Sequence, residues 1–122
     1  MLTLPIKKKW FDMILNEEKK EEYREIKPYY DTRFLNLWGF PKSEFENVKD
    51  LLRVKETENT RMIALRNGYS RDSCYVNVCC SLRIGYGKTE WGATENECYI
   101  LEFKPFSEFS NKVDWGKDEK PD

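Results

Sequence analysis

The chain has 122 residues, of which 39% are hydrophobic and 15% are aromatic. This length suits one hydrophobic core, and the aromatic share favours an α+β or all-β fold over disorder. Lys and Arg number 21 and Asp and Glu number 22, so the net charge of -1 gives no global attraction to nucleic acid or anionic lipid, and any phosphate binding must come from a local basic patch.

The sequence contains no histidine, so the commonest general base near neutral pH and the commonest metal ligand are both absent. No Cys-x-x-Cys pair occurs, so neither a metal nor a cofactor is expected; the cysteines are Cys74, Cys79, Cys80 and Cys98. The first residues, MLTLPIKKKW, match neither an export signal nor a membrane span. We therefore expect a cytoplasmic protein with reduced thiols, no membrane partner, and Cys80 buried as a small hydrophobe.

The first predicted elements are a strand over Leu2–Ile6 and a short helix over residues 7–16. Apolar side chains at helical spacing give the helix one stripe, which would pack on the sheet through Trp10 and Ile14. No apolar residue occurs between Leu15 and Tyr23. A longer helix would therefore have no apolar face to bury. The helix is therefore predicted to end near Asn16, a residue type that tolerates the left-handed conformation.

The charged segment Glu17–Pro28, EEKKEEYREIKP, is predicted to pass from a loop into a strand. In a strand, Glu22 and Arg24 would share one face because side chains alternate between faces. Pro28 would close the strand and open a short helix, since proline disfavours a helical residue before it and fits the first helical turn. The predicted apolar face of this helix consists of Tyr30, Phe34, Leu37 and Trp38.

The second half of the chain has mainly a period of two. In residues 42–59 the apolar residues have helical spacing but the end is polar, so the pattern does not decide between a helix and a loop. A strand then leads into the Asn67-Gly68 turn, followed by the strands CYVNVCCSLRI and CYILEFKPF, the last of the chain. The predicted fold is α+β: one domain over residues 1–106, forming a small curled antiparallel β-barrel with peripheral short helices, and a flexible polar tail over 107–122.

The charged segment also resembles a known signature. A charge run is usually a solvated surface, whose ion pairs contribute about 0–1 kcal/mol each. However, ILNEEKKEEYR resembles the pattern Gly-x-Lys-x-x-Glu-x-Arg of the ASCH family, a PUA-like group of small barrels, in which the pattern follows a short apolar helix. Lys19, Glu22 and Arg24 fall on its charged positions. The later RNGY and EWGA elements also resemble phage and bacterial members, and the resemblance covers residues 2–104.

One position departs from the family pattern. Glu17 stands where the family has Gly, which would turn sharply out of the helix at low cost. A left-handed Glu costs about 1 kcal/mol more, so Asn16 is predicted to take that conformation instead and to shift the turn by one residue.

The resemblance implies a cleft beside the barrel that receives RNA or a nucleoside. There, Arg24 would offer a planar fork to a phosphate or a base edge, Glu22 would hold that fork, and Lys19 would supply a mobile positive charge. An aromatic beside a cation suits base stacking with phosphate contact. The further candidates to line the cleft are Lys27, Tyr29, Arg33, Arg66, Tyr69 and Trp91.

Two functions follow from the resemblance. The first is a module that binds RNA or a modified nucleotide, for which Arg24→Ala should weaken binding and barely change the melting temperature. The alternative is a small hydrolase, either an amidohydrolase on acylated cytidine or a ribonuclease, with Lys19 and Glu22 as catalytic residues. The amidohydrolase branch has Thr where this chain has Glu22, which removes the nucleophilic hydroxyl. A non-catalytic protein partner is a third reading, which no feature of the sequence tests.

Overall fold

The chain has the predicted α+β class in a computed structural model, which describes residues 1–70 and 72–105 together with the backbone of Val113–Asp114. It divides into two units that are described in turn. The first unit contains Met1–Lys20, Met62–Cys79 and Lys104–Asp122. The second contains Glu21–Arg61 and Cys80–Phe103. The strand β4 (Tyr75–Gly85) contributes residues to both.

The first unit is built on β1 (Thr3–Ile6) and β3 (Arg61–Asn67), which pair in parallel, and on the start of β4. The prediction of antiparallel strands is therefore wrong for this pair, although the other pairings with a described register are antiparallel. The long chain between β1 and β3 makes the parallel arrangement accessible, since parallel strands need a long crossover connection. A short strand β6 (Val113–Asp114) pairs with Val76 and Tyr75, so CYILEFKPF is not the last strand.

The helix α1 (Lys8–Leu15) is short, as predicted, and ends before the charged segment. It buries Phe11 and Ile14, whereas Trp10 stays half-buried. The expected packing through Trp10 therefore stays a prediction, whereas Ile14 is buried as expected. The Trp10 ring lies beside two ammonium groups, those of Lys9 at 4.6 Å and Lys19 at 5.3 Å from its centroid.

The turn that ends α1 places Glu17, not Asn16, in the left-handed conformation. Glu17 has φ 60°, while Asn16 has φ −85°, so the prediction for Asn16 is wrong. The Glu17 N–H donates to the Ile14 carbonyl at 3.0 Å and the Glu18 N–H to the Met13 carbonyl at 2.8 Å. These two bonds form a Schellman motif, whose satisfied carbonyls compensate for the strained residue.

Replacing this strained residue should stabilise the protein. We expect Glu17→Gly to raise the free energy of unfolding by about 0.5–1 kcal/mol, because glycine adopts positive φ without steric cost. The matched variant Asn16→Gly should lower it, since Asn16 has a negative φ and glycine only adds unfolded-state freedom there. Urea unfolding of both variants measures the difference. Equal effects at the two positions would contradict this assignment of the turn.

The second unit contains β2 (Glu21–Arg24), β5 (Cys98–Phe103) and the end of β4, in the order β2, β5, β4. Both pairings are antiparallel, and β5 is central. The predicted strand in the charged segment therefore exists but ends at Arg24, before Pro28. β5 buries both of its faces along most of its length, which explains its nearly continuous apolar sequence.

The helical segments of this unit follow β2. α2 (Pro28–Tyr30) has Pro28 at its first turn, as predicted, and continues as a π-helical turn over Asp31–Leu35. The wider π turn changes which side chains face inward. Leu35 is therefore buried and Leu37 only half-buried, contrary to the predicted stripe.

Residues 42–59, for which the sequence pattern did not decide between a helix and a loop, are helical at their start. A 3₁₀ turn over Lys42–Glu44 leads into α3 (Phe45–Leu52). A further 3₁₀ turn, Thr89–Trp91, lies in the loop between β4 and β5. In the part of the chain that the structure describes, each helix is too short or too polar to cross a membrane. The predicted tail over 107–122 lies outside the described residues except for the backbone of β6, and the single domain over 1–106 stays a prediction.

Candidate functional site

The strand β2 presents different chemistry on its two faces. Glu22 lies opposite Leu101 and Arg24 opposite Tyr99, so the two charged residues share one face, as predicted. Glu21 and Tyr23 point to the other face. The two faces are therefore separate candidates for a site.

On the first face, Arg24 and Glu22 form an ion pair. The Arg24 Nη1 donates to the Glu22 Oε2 and, at 3.0 Å, to the Tyr23 carbonyl. The side chains of Arg24 and Glu22 are only 14% and 8% exposed. The prediction that a carboxylate orients Arg24 is thus confirmed. Two charges withdrawn from water in this way cost desolvation energy that their attraction does not reliably repay.

Tyr30 connects this ion pair to an aromatic series. The Arg24 guanidinium carbon lies 6.0 Å and the Lys27 Nζ 5.6 Å from the centroid of the Tyr30 ring. Tyr30 stacks on Phe34 with centroids 5.4 Å apart, and Phe34 meets Tyr99 edge-on at 5.2 Å. The sequence analysis counted Tyr30 only as an apolar residue. The sequence signal for a role of Tyr30 in the site is the Tyr29-Tyr30 pair directly after the charged segment.

Tyr29 and Arg33 extend the series to the surface. The Arg33 guanidinium carbon lies 3.4 Å from the centroid of the Tyr29 ring, and its Nη1 donates to the Tyr29 carbonyl at 3.1 Å. The Tyr29 and Tyr30 rings meet edge-on at 4.9 Å. We call Arg24, Lys27, Tyr29, Tyr30 and Arg33 the tyrosine–cation cluster. It unites four of the predicted site residues.

A second polar group adjoins the aromatic series through Tyr99. The buried Asp31 accepts hydrogen bonds from the Tyr99 hydroxyl at 2.6 Å and from the Lys49 Nζ at 3.0 Å. Lys49 also pairs with Glu46 at 2.9 Å. Sequence analysis missed this group. The sequence signal for this group is Lys49, a charged residue on the helix face that Phe45, Val48 and Leu52 bury.

The surroundings shift two pKa values in this group upward. Burial, followed by the hydrogen bond to Asp31, raises the pKa of Tyr99. Burial lowers the pKa of Lys49, but its hydrogen bonds to Glu46 and Asp31 outweigh that effect and raise the pKa overall. The folded state therefore favours a neutral Tyr99 and a charged Lys49.

This protonation pattern predicts a loss of stability in alkali. An unfolded tyrosine ionises near pH 10, whereas folded Tyr99 resists ionisation, so its contribution is complete below about pH 10 and falls as the pH rises towards its folded pKa. We expect Tyr99→Phe to reduce the alkaline slope of the unfolding free energy by up to about 1.4 kcal/mol per pH unit. Denaturant titrations between about pH 8 and pH 11 measure this slope. An identical slope in wild type and variant would contradict the assignment.

The opposite face of β2 carries a different network. Arg83 bridges Glu21 at 2.8 Å and Glu102 at 3.5 Å, two carboxylates that lie directly opposite each other. The Tyr23 hydroxyl donates to Glu21 and accepts from the Lys88 amide. Trp91 follows Lys88, whose Nζ lies 4.3 Å from the Trp91 ring. The loop with Trp91 is thus tied to Tyr23, which points away from the Glu22–Arg24 face.

The remaining predicted site residues belong to the first unit. Lys19 is 1% exposed, and its amide donates to the Met13 carbonyl at 3.1 Å. Lys19 and Glu22 are buried, contrary to the accessible placement predicted for them. Arg66 is half-buried on β3, and its Nε has no hydrogen-bond partner within the described residues. Tyr69 is 88% exposed in the loop after β3.

The cysteines are free thiols. Cys80 is fully buried, as predicted, and its thiol donates to the Arg61 carbonyl at 3.6 Å. Burial raises the pKa of the Cys79 and Cys98 thiols, which disfavours the reactive thiolate. Over residues 1–70 and 72–105, acidic and cysteine side chains form no group able to hold a metal ion.

Comparison with family models, with curated proteins and with solved structures found no match for this chain. The resemblance to the ASCH family therefore rests on the sequence elements alone.

Proposed function

We propose that this chain is an ASCH-type module with a PUA-like barrel that binds RNA or a nucleotide. The buried Glu22–Arg24 ion pair beside Tyr30 is the observation that carries the proposal. A buried ion pair is a poor source of stability compared with apolar residues of similar size. Its position beside Tyr30, and thus beside a group of aromatic and cationic side chains, favours a role in binding a ligand.

The chemistry of the cluster suits a nucleotide. A guanidinium held by a carboxylate presents its donors in a fixed plane, which matches the oxygens of a phosphate. The tyrosine rings provide flat surfaces for a base. Cations next to the rings neutralise the backbone charge of the ligand. The overall charge of -1 is no obstacle, because the positive charge is local.

The turn before β2 supports the family part of the proposal. The family has Gly at the position of Glu17, and Glu17 has a positive φ. The backbone therefore makes the conformational demand that glycine meets most easily. This agreement is independent of the charged residues on which the resemblance was based.

The hydrolase remains the alternative. It requires a nucleophile, and Glu22, which stands where the amidohydrolase branch has Thr, already pairs with Arg24. The ribonuclease form needs no such residue from the protein if water attacks. We propose binding without turnover because it is the function that uses the contacts of the tyrosine–cation cluster.

A titration of fluorescently labelled single-stranded RNA tests the proposal. Arg24→Lys keeps a positive charge beside Glu22 but loses the planar fork, so binding should weaken by about 1–3 kcal/mol. Arg53→Lys is the matched control, since Arg53 pairs with Glu97 and Asp50, which do not belong to the cluster. Equal affinities for all three proteins would contradict the proposal. Shortening of the RNA during the titration would support the ribonuclease instead.

A further inference from the structure

Tyr29 is an exposed aromatic residue that is nevertheless held in place. It is 52% exposed, yet its ring contacts both the Arg33 guanidinium and the edge-on Tyr30 ring. Tyr86, a 71% exposed tyrosine of the same unit, has no such ring contact among the described residues. Exposure alone therefore does not account for the arrangement of Tyr29.

The stack of Tyr29 and Arg33 is a rigid flat surface. The guanidinium lies 3.4 Å from the ring centroid, and the hydrogen bond from Arg33 to the Tyr29 carbonyl fixes it there. Both residues are exposed. Proteins stack nucleic-acid bases on aromatic rings, tyrosine among them, and on guanidinium planes. A surface formed in advance loses little conformational entropy when a ligand binds.

The charges around this surface suit a phosphate backbone. Arg24 and Lys27 lie 6.0 Å and 5.6 Å from the centroid of the Tyr30 ring, and Arg33 lies over the Tyr29 ring. Lys27 also pairs with the exposed Glu25 at 3.1 Å. That carboxylate competes with a phosphate for Lys27, so its removal should improve binding.

We propose that the Tyr29–Arg33 stack binds one unpaired base of a single-stranded RNA, with the adjoining phosphate on Lys27. This inference rests on the proposed function and specifies its ligand. A base within a duplex is already stacked on both sides and cannot reach an exposed tyrosine without unpairing. The module should therefore prefer single-stranded RNA to a duplex of the same sequence.

Fluorescence anisotropy with one labelled RNA, as a single strand and annealed to its complement, tests the inference. Tyr29→Ala should weaken binding of the single strand about 5- to 100-fold, because stacking of a base on an aromatic side chain is worth roughly that much. Tyr29→Phe should bind like wild type, since phenylalanine keeps the ring. Glu25→Gln should bind more tightly. Tyr86→Ala is the matched control and should leave the affinity unchanged.

The outcomes separate the two proposals. Equal binding by Tyr29→Ala and Tyr86→Ala, with a loss for Arg24→Lys, would overturn the stacking inference and leave the proposed function standing. A failure of wild type to bind any of the RNAs would overturn both. Equal affinity for single strand and duplex would also overturn the inference. Ultraviolet crosslinking of wild type to the single strand gives a second measurement, and the adduct should map to the peptide that contains Tyr29.

Discussion

Lys49→Met should lower the free energy of unfolding by about 3–5 kcal/mol, the cost of leaving one partner of a buried ion pair uncompensated. Asp31 would still accept a hydrogen bond from the Tyr99 hydroxyl. It would lose Lys49, which is the only cation that donates to it among the described hydrogen bonds. Asp31 and Lys49 are both buried, so water cannot easily replace the ammonium. Denaturant unfolding at neutral pH measures the loss.

Two further variants separate charge burial from packing. Lys55→Met removes a lysine whose exposed pair with Glu58 spans 3.8 Å, and it should change stability by no more than about 1 kcal/mol. Asp31→Asn combined with Lys49→Met should recover much of the loss, because the amide carbonyl introduced by the first substitution would still accept from Tyr99 without carrying a charge. If the double variant were no more stable than Lys49→Met alone, the electrostatic account would be wrong.

Arg24→Met should also destabilise the protein, by about 1.5–3 kcal/mol, since it removes the charged hydrogen bond between the guanidinium and the buried Glu22 carboxylate. The sequence analysis expected a change at Arg24 to have almost no effect on the melting temperature. The burial of Glu22 revises that expectation. Thermal and urea unfolding of the single variant provide the measurement.

Removing both charges should restore stability. Glu22→Leu combined with Arg24→Met replaces the ion pair by apolar side chains of similar size, which is typically neutral or stabilising by about 1–4 kcal/mol. The difference between this double variant and Arg24→Met measures the effect of replacing the Glu22 carboxylate, with its other contacts, once the guanidinium is gone. A double variant as unstable as the single one would mean that packing, rather than charge, determines the effect.

Local patterns of the sequence predicted the local structure well. The lack of apolar residues directly after Leu15 correctly predicted the end of α1. The two-residue spacing of Glu22 and Arg24 correctly predicted that they share one face of a strand. Such features depend on neighbours in sequence, so the periods of 3.6 and 2 reveal them. The α+β class follows from the same change of period.

Other features depend on long-range or backbone interactions that no period records. The parallel pairing of β1 with β3 depends on segments far apart in the chain. The π turn buries Leu35 in place of Leu37, and a regular helical period does not record such a turn. The Schellman hydrogen bonds hold Glu17 in a conformation that its own preference disfavours.

The candidate site was predicted only in part. The motif pointed to Arg24 and Glu22, and the sequence near it to Lys27, Tyr29 and Arg33. Tyr30, which connects them, was counted only as an apolar residue. Side-chain stacking of this kind depends on the exact turn between β2 and α2, which propensities do not specify.

The most direct test of the account compares binding of single-stranded RNA by wild type and by the Glu22→Leu, Arg24→Met double variant. Circular dichroism and urea unfolding first establish that both proteins are folded, and a difference in affinity then reports on the ion pair as part of a binding site. We predict that wild type binds and that the double variant binds at least about tenfold more weakly, as expected for the loss of charged hydrogen bonds. Equal affinities of the two folded proteins would contradict a binding role for the pair and identify it as a structural ion pair.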